Sequence, residues 1–186
     1  MVRKFKRRAV SLNSMSGFTL IELLIVIIVL GILAMVIIPQ ISVSTEDAKV
    51  SALKSNLSAM RNSIELYYHQ HNSVYPGAKD IAGAASADAA TAQLAFLQQL
   101  TQFTKVDGTV SATKTADAKY GPYLKSSTLP KNPFNDLTSV ACDIANADIT
   151  VKSADATATA WKFYTKTGVL IANDGGTTDS IAHVDY

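Results

Sequence analysis

The chain has 186 residues, of which 48% are hydrophobic and 17% are charged, and its formal net charge is +2. This length suits one domain of ordinary size, or a smaller domain with an anchor. The single cysteine, Cys142, excludes an intramolecular disulfide and a zinc site built from several cysteines.

Positive charge is concentrated at the N-terminus. Residues 1–17 carry five of the 17 basic residues and none of the 15 acidic ones. An apolar run, 18–38, follows, and its polar side chains are those of Thr19 and Glu22. As a helix this run would be about 32 Å long, enough to cross a bilayer core of about 30 Å. Because the basic residues precede it, we expect the N-terminus in the cytoplasm and the rest of the chain across the membrane.

Cleavable export signals are the alternatives to a retained anchor. The apolar region of a secretory signal is usually about 7–15 residues long and ends at a small-residue cleavage site, whereas Ile-Ile-Pro-Gln ends this longer run. A lipoprotein signal needs a cysteine directly after the run, and this sequence has none there. The Arg7-Arg8 pair could indicate twin-arginine export, but the residues around it do not match that signal. A retained anchor fits best.

Glu22 is unusual inside such a segment. A carboxylate within an apolar membrane helix costs about 2.5–3.5 kcal/mol on insertion scales and therefore normally has a partner. One explanation is that Glu22 lies near the membrane surface, where the cost is smaller. Another is that cleavage after Gly17 leaves Phe18 with a free α-amine one turn away. That amine, from the same chain or a neighbour, would neutralise the carboxylate and set the register between subunits.

The N-terminal segment resembles the class III signal of type IV prepilins and type II secretion pseudopilins. The residues that carry this resemblance follow the basic leader and read Gly17-Phe18-Thr19-Leu20-Ile21-Glu22-Leu23-Leu24. The resemblance implies that a prepilin peptidase cleaves between Gly17 and Phe18 and methylates the new amine of Phe18. It also assigns assembly roles to Glu22, to Gly31 and to Pro39, which fall where the family often has an acid, a glycine and a helix-loosening proline.

Beyond the membrane, the sequence predicts a second helical segment. Apolar residues from Val50 to Tyr67 recur at spacings of three and four, which is typical of one face of an amphipathic helix over Thr45–His71. Tyr75-Pro76-Gly77 ends that helix with strong turn residues. The predicted domain organisation is a leader, a transmembrane assembly helix, its amphipathic continuation and an extracytoplasmic globular domain, over 1–17, 18–38, 39–75 and 76–186.

The remaining chain predicts a short helix and a small sheet. The helix is expected over Asp88–Phe103, and the strands over Ile149–Lys152, Ala160–Thr165 and Val169–Ala172, with Thr167-Gly168 as a hairpin turn. Within the second strand, Trp161 and Phe163 should share one face. The predicted fold class is therefore α+β and pilin-like: a long N-terminal helix packed on a small C-terminal antiparallel sheet.

The C-terminal half resembles the major, G-type pseudopilin of type II secretion. The segments that carry this resemblance are Gly121-Pro122-Tyr123-Leu124, Leu129-Pro130-Lys131-Asn132-Pro133 and the hairpin from Trp161 to Gly168. It implies a structural, non-enzymatic subunit of a periplasmic pseudopilus that drives protein export. The implied partners are further copies of the chain, prepilin peptidase, minor pseudopilins, and an inner-membrane platform with its ATPase. The alternative is a type IV pilus subunit for adhesion, motility or DNA uptake.

Catalytic and nucleic-acid-binding roles find little support in the sequence. There is no Gly-x-Ser-x-Gly elbow, and His69 and His71 are two positions apart, so on a helix their side chains would point about 200° apart. His183 is isolated in the sequence. Without the leader the chain has an acidic balance and no obvious basic stripe, so no nucleic-acid partner is expected.

A late loop, Asn173–Ser180, is the one candidate metal site. Two carboxylates, Asp174 and Asp179, lie five residues apart with glycines and hydroxyls between them. Oxygen ligands on a glycine-rich turn suit Ca²⁺, although a solvated turn explains the same pattern. G-type pseudopilins bind calcium in a corresponding loop, so the resemblance implies Asp174 and Asp179 as ligands, with Thr177 or Ser180 supplying further oxygens.

Overall fold

The computed structural model describes residues 17–155 and 159–186, and for 36–44 it describes the backbone alone. The chain divides into two compact units between Val43 and Ser44. Apart from Gly17, the predicted leader lies outside the described residues, and its assignment stays a prediction.

The first helix, α1, covers Leu20–Gln70. In the part of α1 that belongs to the second unit, the predicted apolar stripe is buried. The exposed fractions are at most 1% for Leu53, Leu57, Met60, Ile64 and Tyr67. Residues three and four apart lie on the same helical face, so one side of this segment faces the core. The predicted amphipathic helix is confirmed.

The second helix, α2, covers Ala89–Thr101, close to the predicted bounds. Asp88 caps it, because its carboxylate accepts a hydrogen bond from the backbone N–H of Thr91 at 2.7 Å. Phe103, predicted as helical, instead begins a short strand, β1 (Phe103–Thr104), which pairs antiparallel with β2 (Val110–Ser111).

The central sheet has the order β3 (Val140–Asp143), β4 (Trp161–Tyr164), β5 (Leu170–Ala172). Strands β4 and β5 form the predicted antiparallel hairpin. Gly168 turns it with φ of +75°, a backbone conformation that favours glycine. Strand β3 pairs with β4 in parallel, with Val140 opposite Trp161, so the sheet is mixed rather than wholly antiparallel.

The predicted strand at Ile149–Lys152 is wrong. Ile149 is 66% exposed, and the segment forms a turn. The Asp148 carboxylate accepts hydrogen bonds from the backbone N–H of Thr150 at 2.9 Å and from its hydroxyl at 2.7 Å. This local side-chain bond competes with strand pairing, and the alternation of apolar and polar residues does not reveal it.

The core lies between the helices and the central sheet. The rings of Phe96 on α2 and Phe163 on β4 have centroids 4.6 Å apart. Trp161, fully buried, donates its indole N–H to the carbonyl of Pro130 at 2.9 Å. The other face of β4 is covered too, since Lys162 is buried and pairs with Asp155 at 2.6 Å. The α+β, pilin-like fold class is confirmed.

A second hairpin lies near the C-terminus. Strand β6 (Thr177–Thr178) pairs antiparallel with β7 (Ile181–Ala182), and a 3-10 turn follows over His183–Asp185. The two residues between the strands, Asp179 and Ser180, have φ of 52° and 66°. Positive φ at both positions is typical of the type I′ turn of a two-residue hairpin.

Candidate functional site

The predicted cleavage point lies at the end of an exposed, non-helical segment. Gly17, Phe18 and Thr19 precede the first turn of α1, and Phe18 is 89% exposed. A protease requires backbone that is accessible and free of helical hydrogen bonds. The peptide bond between Gly17 and Phe18 meets both conditions.

Thr19 and Glu22 form a capping box at the start of α1. The Glu22 carboxylate accepts, on Oε2, hydrogen bonds from the Thr19 backbone N–H and hydroxyl, each at 2.8 Å. The Thr19 hydroxyl oxygen in turn accepts from the backbone N–H of Glu22 at 3.3 Å. These reciprocal bonds satisfy donors that the first turn of a helix leaves unpaired.

The capping box assigns Thr19 a role that the sequence analysis missed. The spacing Thr-x-x-Glu before an apolar run is a recognised helix-start signature and could have revealed it. Glu22 thus has one partner within its own chain. Both bonds fall on Oε2, so the other carboxylate oxygen can accept from a further donor, and the predicted pairing with the Phe18 amine stays a prediction.

The first unit presents continuous apolar surface. Every side chain from Gly17 to Met35 is exposed, although most of them are large and aliphatic. A Cβ placed on Gly31 would meet none of the described residues within 4 Å, so packing against them does not require a glycine there. For Pro39 and for the end of the predicted 18–38 span, 36–38, the structure describes the backbone and not the side chains. Within the described residues, no helix has both the length and the apolar character needed to cross a membrane.

The candidate metal loop is built around a buried carboxylate. The Asp174 side chain is 4% exposed. Its Oδ1 accepts from the backbone N–H of Gly176 at 2.7 Å and lies 2.7 Å from His183 Nδ1. Its Oδ2 accepts from the side-chain amide of Asn132 at 2.8 Å. Asn132, which the sequence analysis did not single out, is itself fully buried.

His183, predicted to be isolated, is connected on both ring nitrogens. Its Nδ1 faces Asp174, and its Nε2 lies 2.9 Å from the Thr178 hydroxyl. Thr178 also donates to the Glu46 carboxylate of α1 at 3.5 Å. The prediction of isolation is wrong because the hairpin β6–β7 brings residue 183 back to residue 174, a contact that local sequence does not encode.

The other predicted ligands do not join Asp174. Asp179 and Ser180 are exposed at the tip of the hairpin, and Thr177 is exposed on β6. Among the residues that the structure describes, no group of three or more acidic, histidine or cysteine side chains could hold a metal ion. This arrangement therefore does not fit a calcium ion shared by Asp174, Thr177, Asp179 and Ser180.

Asp174, His183 and Thr178 have the carboxylate–imidazole–hydroxyl order of a catalytic triad. A nucleophilic hydroxyl must be open to substrate and close to donors that stabilise the oxyanion. The Thr178 hydroxyl is instead buried between His183 and Glu46. The hydrogen bonds from Asp174 through His183 and Thr178 to Glu46 can therefore hold the hairpin β6–β7 against α1.

Comparisons with known proteins find a family model near the N-terminus and relatives that match about a third of the chain. Residues 12–38 match the family model described as the prokaryotic N-terminal methylation motif. The type II secretion system core protein G of Pseudomonas aeruginosa is 39% identical over 61 residues, which is 33% of this chain and 42% of that protein. The same-named protein of Vibrio cholerae is 34% identical over 65 residues, 35% of this chain and 44% of that protein.

A relative with another name matches a similar number of residues. The prepilin peptidase-dependent protein A of Clostridium perfringens is 41% identical over 54 residues, 29% of this chain and 39% of that protein. This chain thus spans about two fifths of the length of the curated relatives it matches. No solved structure matches it significantly. The resemblance to prepilins and G-type pseudopilins is confirmed over about a third of the chain.

Proposed function

We propose that this chain is a structural subunit of a type II secretion pseudopilus, made as a prepilin and assembled through its N-terminal helix. The observation that carries the proposal is the exposed apolar surface from Phe18 to Met35, directly behind an accessible cleavage point. Exposed apolar surface of this extent marks a contact with lipid or with another protein. Before assembly that contact is the inner membrane, with the domain from Ser44 onward in the periplasm, and after assembly it is neighbouring subunits.

Gly31 supports contact with another helix. A glycine inside a helix costs about 1 kcal/mol relative to alanine, and none of the described residues lies close enough to Gly31 to require it. A small residue on an exposed helix allows a second backbone to approach closely. Pro39, which removes one helical N–H, would loosen α1 between its two units during assembly.

Glu22 guides the incoming subunit in this proposal. The capping box holds its carboxylate at the start of α1, and one oxygen can accept from the methylated Phe18 amine of a neighbour. Two opposite charges in an apolar environment attract strongly, and a mismatch leaves an unpaired buried charge. This pairing would select a single axial register. Prepilin peptidase, the minor pseudopilins, and the platform with its ATPase are the further partners.

The test compares Glu22→Ala with a matched control, Glu65→Ala, which removes an exposed acid further along α1. Each full chain is produced in cells with the secretion system. Mass spectrometry of the N-terminus reports cleavage and methylation, membrane fractionation reports insertion, and shearing with electron microscopy reports filaments. For the wild type and Glu65→Ala we expect an N-methylated Phe18, filaments and secretion. For Glu22→Ala we expect membrane insertion with at least a tenfold loss of filaments, since its register contact costs several kcal/mol when broken.

The outcomes that contradict the proposal are specific. An intact Met1 in the membrane-bound chain would exclude a prepilin. Normal filaments from Glu22→Ala would exclude the register role of the carboxylate. Filaments that emerge on the cell surface, without a secretion defect when the chain is deleted, would support a type IV pilus instead.

A further inference from the structure

We infer that His183 takes the part of a bound cation at the Asp174 carboxylate, so that the C-terminal hairpin folds without a divalent metal. The resemblance predicts calcium in this loop. The structure provides Asp174 with three N–H donors from the protein, and the other predicted ligands do not contact it.

The Asp174 carboxylate is already occupied. Three N–H groups meet it, from Asn132, Gly176 and His183, at 2.7–2.8 Å. Two carboxylate oxygens offer about four lone-pair positions in all. Calcium takes about six to eight oxygen ligands, and N–H donors cannot act as ligands to it. A cation at this carboxylate would have to displace these donors, and the side chains of Asn132 and His183 are themselves buried.

The imidazole is built into the hairpin. Its ring packs against Phe134, with centroids 4.0 Å apart, and its backbone N–H donates to the carbonyl of Gly176 at 3.0 Å. A Cβ on Gly176 would lie 2.8 Å from His183 Cε1 and Nδ1, so the ring lies directly on the glycine backbone. Only glycine leaves room for this contact.

The orientation of the ring follows from its two partners. The Asp174 carboxylate accepts only, so Nδ1 carries a proton and donates to it. Nε2 is held by the Thr178 hydroxyl, beyond which lies Glu46. The imidazole therefore contacts the Asp174 carboxylate directly, at the position that a cation would take, and is linked to Glu46 through the Thr178 hydroxyl.

The hairpin geometry excludes the remaining calcium ligands from this point. Asp179 and Ser180 occupy the two central positions of the type I′ turn, where both are exposed. Bringing their oxygens to Asp174 would require the pairing of β6 with β7 to open. The turn and the metal site are alternative structures for the same residues.

The first experiment measures thermal unfolding of the full chain in detergent, by the fluorescence of Trp161, with EGTA or with millimolar calcium chloride. We expect the same Tm in both. A site with a dissociation constant one hundredth of the added calcium concentration would raise the Tm by about 5–10 °C. A rise of that size that Asp174→Asn abolishes would overturn the inference.

The second experiment is a double-mutant cycle with Asp174→Asn and His183→Ala in EGTA. We expect each single change to lower the Tm by several degrees, and the double change to lower it by clearly less than the sum, with the same coupling in calcium. His69→Ala, at an exposed histidine of α1, is the control and should leave the Tm unchanged. Additive effects in EGTA would show that the two side chains do not act together and would overturn the inference.

A measurement on the wild type keeps the inference testable if a variant fails to fold. Long-range ¹H–¹⁵N correlation spectra of the histidine side chains report which ring nitrogens are protonated. We expect a protonated, hydrogen-bonded Nδ1 on His183 and no change when calcium is added. An unprotonated Nδ1, or a His183 signal that moves on calcium addition, would contradict the assignment.

Discussion

Cys142 lies on β3 with its side chain turned into the core, opposite Phe163 of β4. Burial raises the pKa of its thiol to about 12, because an ionised sulfur is poorly stabilised away from water. The thiolate is the reactive form of cysteine, so this residue is chemically inert in the folded chain.

The pKa of Cys142 predicts a loss of stability at alkaline pH. The unfolded thiol ionises near pH 9 and the folded one near 12, so the unfolded state releases its proton first. The free energy of unfolding should therefore fall by about 1 kcal/mol between pH 8.5 and 10 through this group. Denaturant titrations of the wild type and of Cys142→Ala, at both pH values, measure the effect. An equal fall in the variant would contradict the assignment to Cys142.

Among the elements, α2 is joined to its flanking loops by one polar side chain. Gln99 is fully buried, and its amide oxygen accepts from the backbone N–H of Gly77 at 2.8 Å. Its amide nitrogen donates to the carbonyls of Gly108 at 3.0 Å and Lys79 at 3.1 Å. A single glutamine thus holds the loops on both sides of α2 in place, through bonds that the sequence pattern does not indicate.

Gln99→Leu should destabilise the chain although it keeps a similar volume. The change leaves buried backbone groups of Gly77, Lys79 and Gly108 without their partner, and each such group costs about 1–3 kcal/mol. We expect the free energy of unfolding to fall by about 3 kcal/mol, measured by denaturant titration. Gln93→Leu, at an exposed position on the same helix, is the control and should change it by less than about 0.5 kcal/mol. Equal effects of the two changes would show that the buried amide does not hold the loops.

At the scale of the whole molecule, the two units differ in what they bury. Every side chain that the structure describes as buried lies between Leu53 and His183, within the unit from Ser44 to Tyr186. Gly17–Met35 has no buried side chain. Folding of the second unit therefore depends on its own core, whereas the first unit depends on membrane or filament contacts in the proposed function.

A chain that begins at Ser44 should fold alone in water. Because its core is complete, we expect cooperative thermal unfolding with a Tm within about 3 °C of the full chain, measured by circular dichroism without detergent. The matched control begins at Ser58 and lacks Leu53 and Leu57, two fully buried residues of the stripe. Losing two buried leucines costs about 4 kcal/mol or more, so this shorter chain should not fold cooperatively. A non-cooperative transition in the longer fragment would show that the core needs residues before Ser44.

Patterns that repeat along one element were predictable. The stripe on α1 follows from the helical period, and the hairpin of β4 and β5 follows from alternating residues around Thr167-Gly168. The first strand of the sheet was not predictable in this way. Val140–Asp143 is short, and it joins the sheet by parallel pairing with β4, which follows a long connection. Ile149–Lys152 shows a clearer alternation of apolar and polar residues, yet it forms a turn.

The sequence by itself determined the features that depend on neighbours along the chain: the basic N-terminal segment, the apolar run with its single acid, and the buried face of α1. Only the tertiary structure decided which distant groups meet. No motif in the sequence pairs Asp174 with His183, yet the hairpin β6–β7 joins them at 2.7 Å, and Asn132 donates to the same carboxylate. Hydrogen bonds of this kind act over a few ångströms and carry no period along the chain, so folding has to bring their partners together before either side chain has a role.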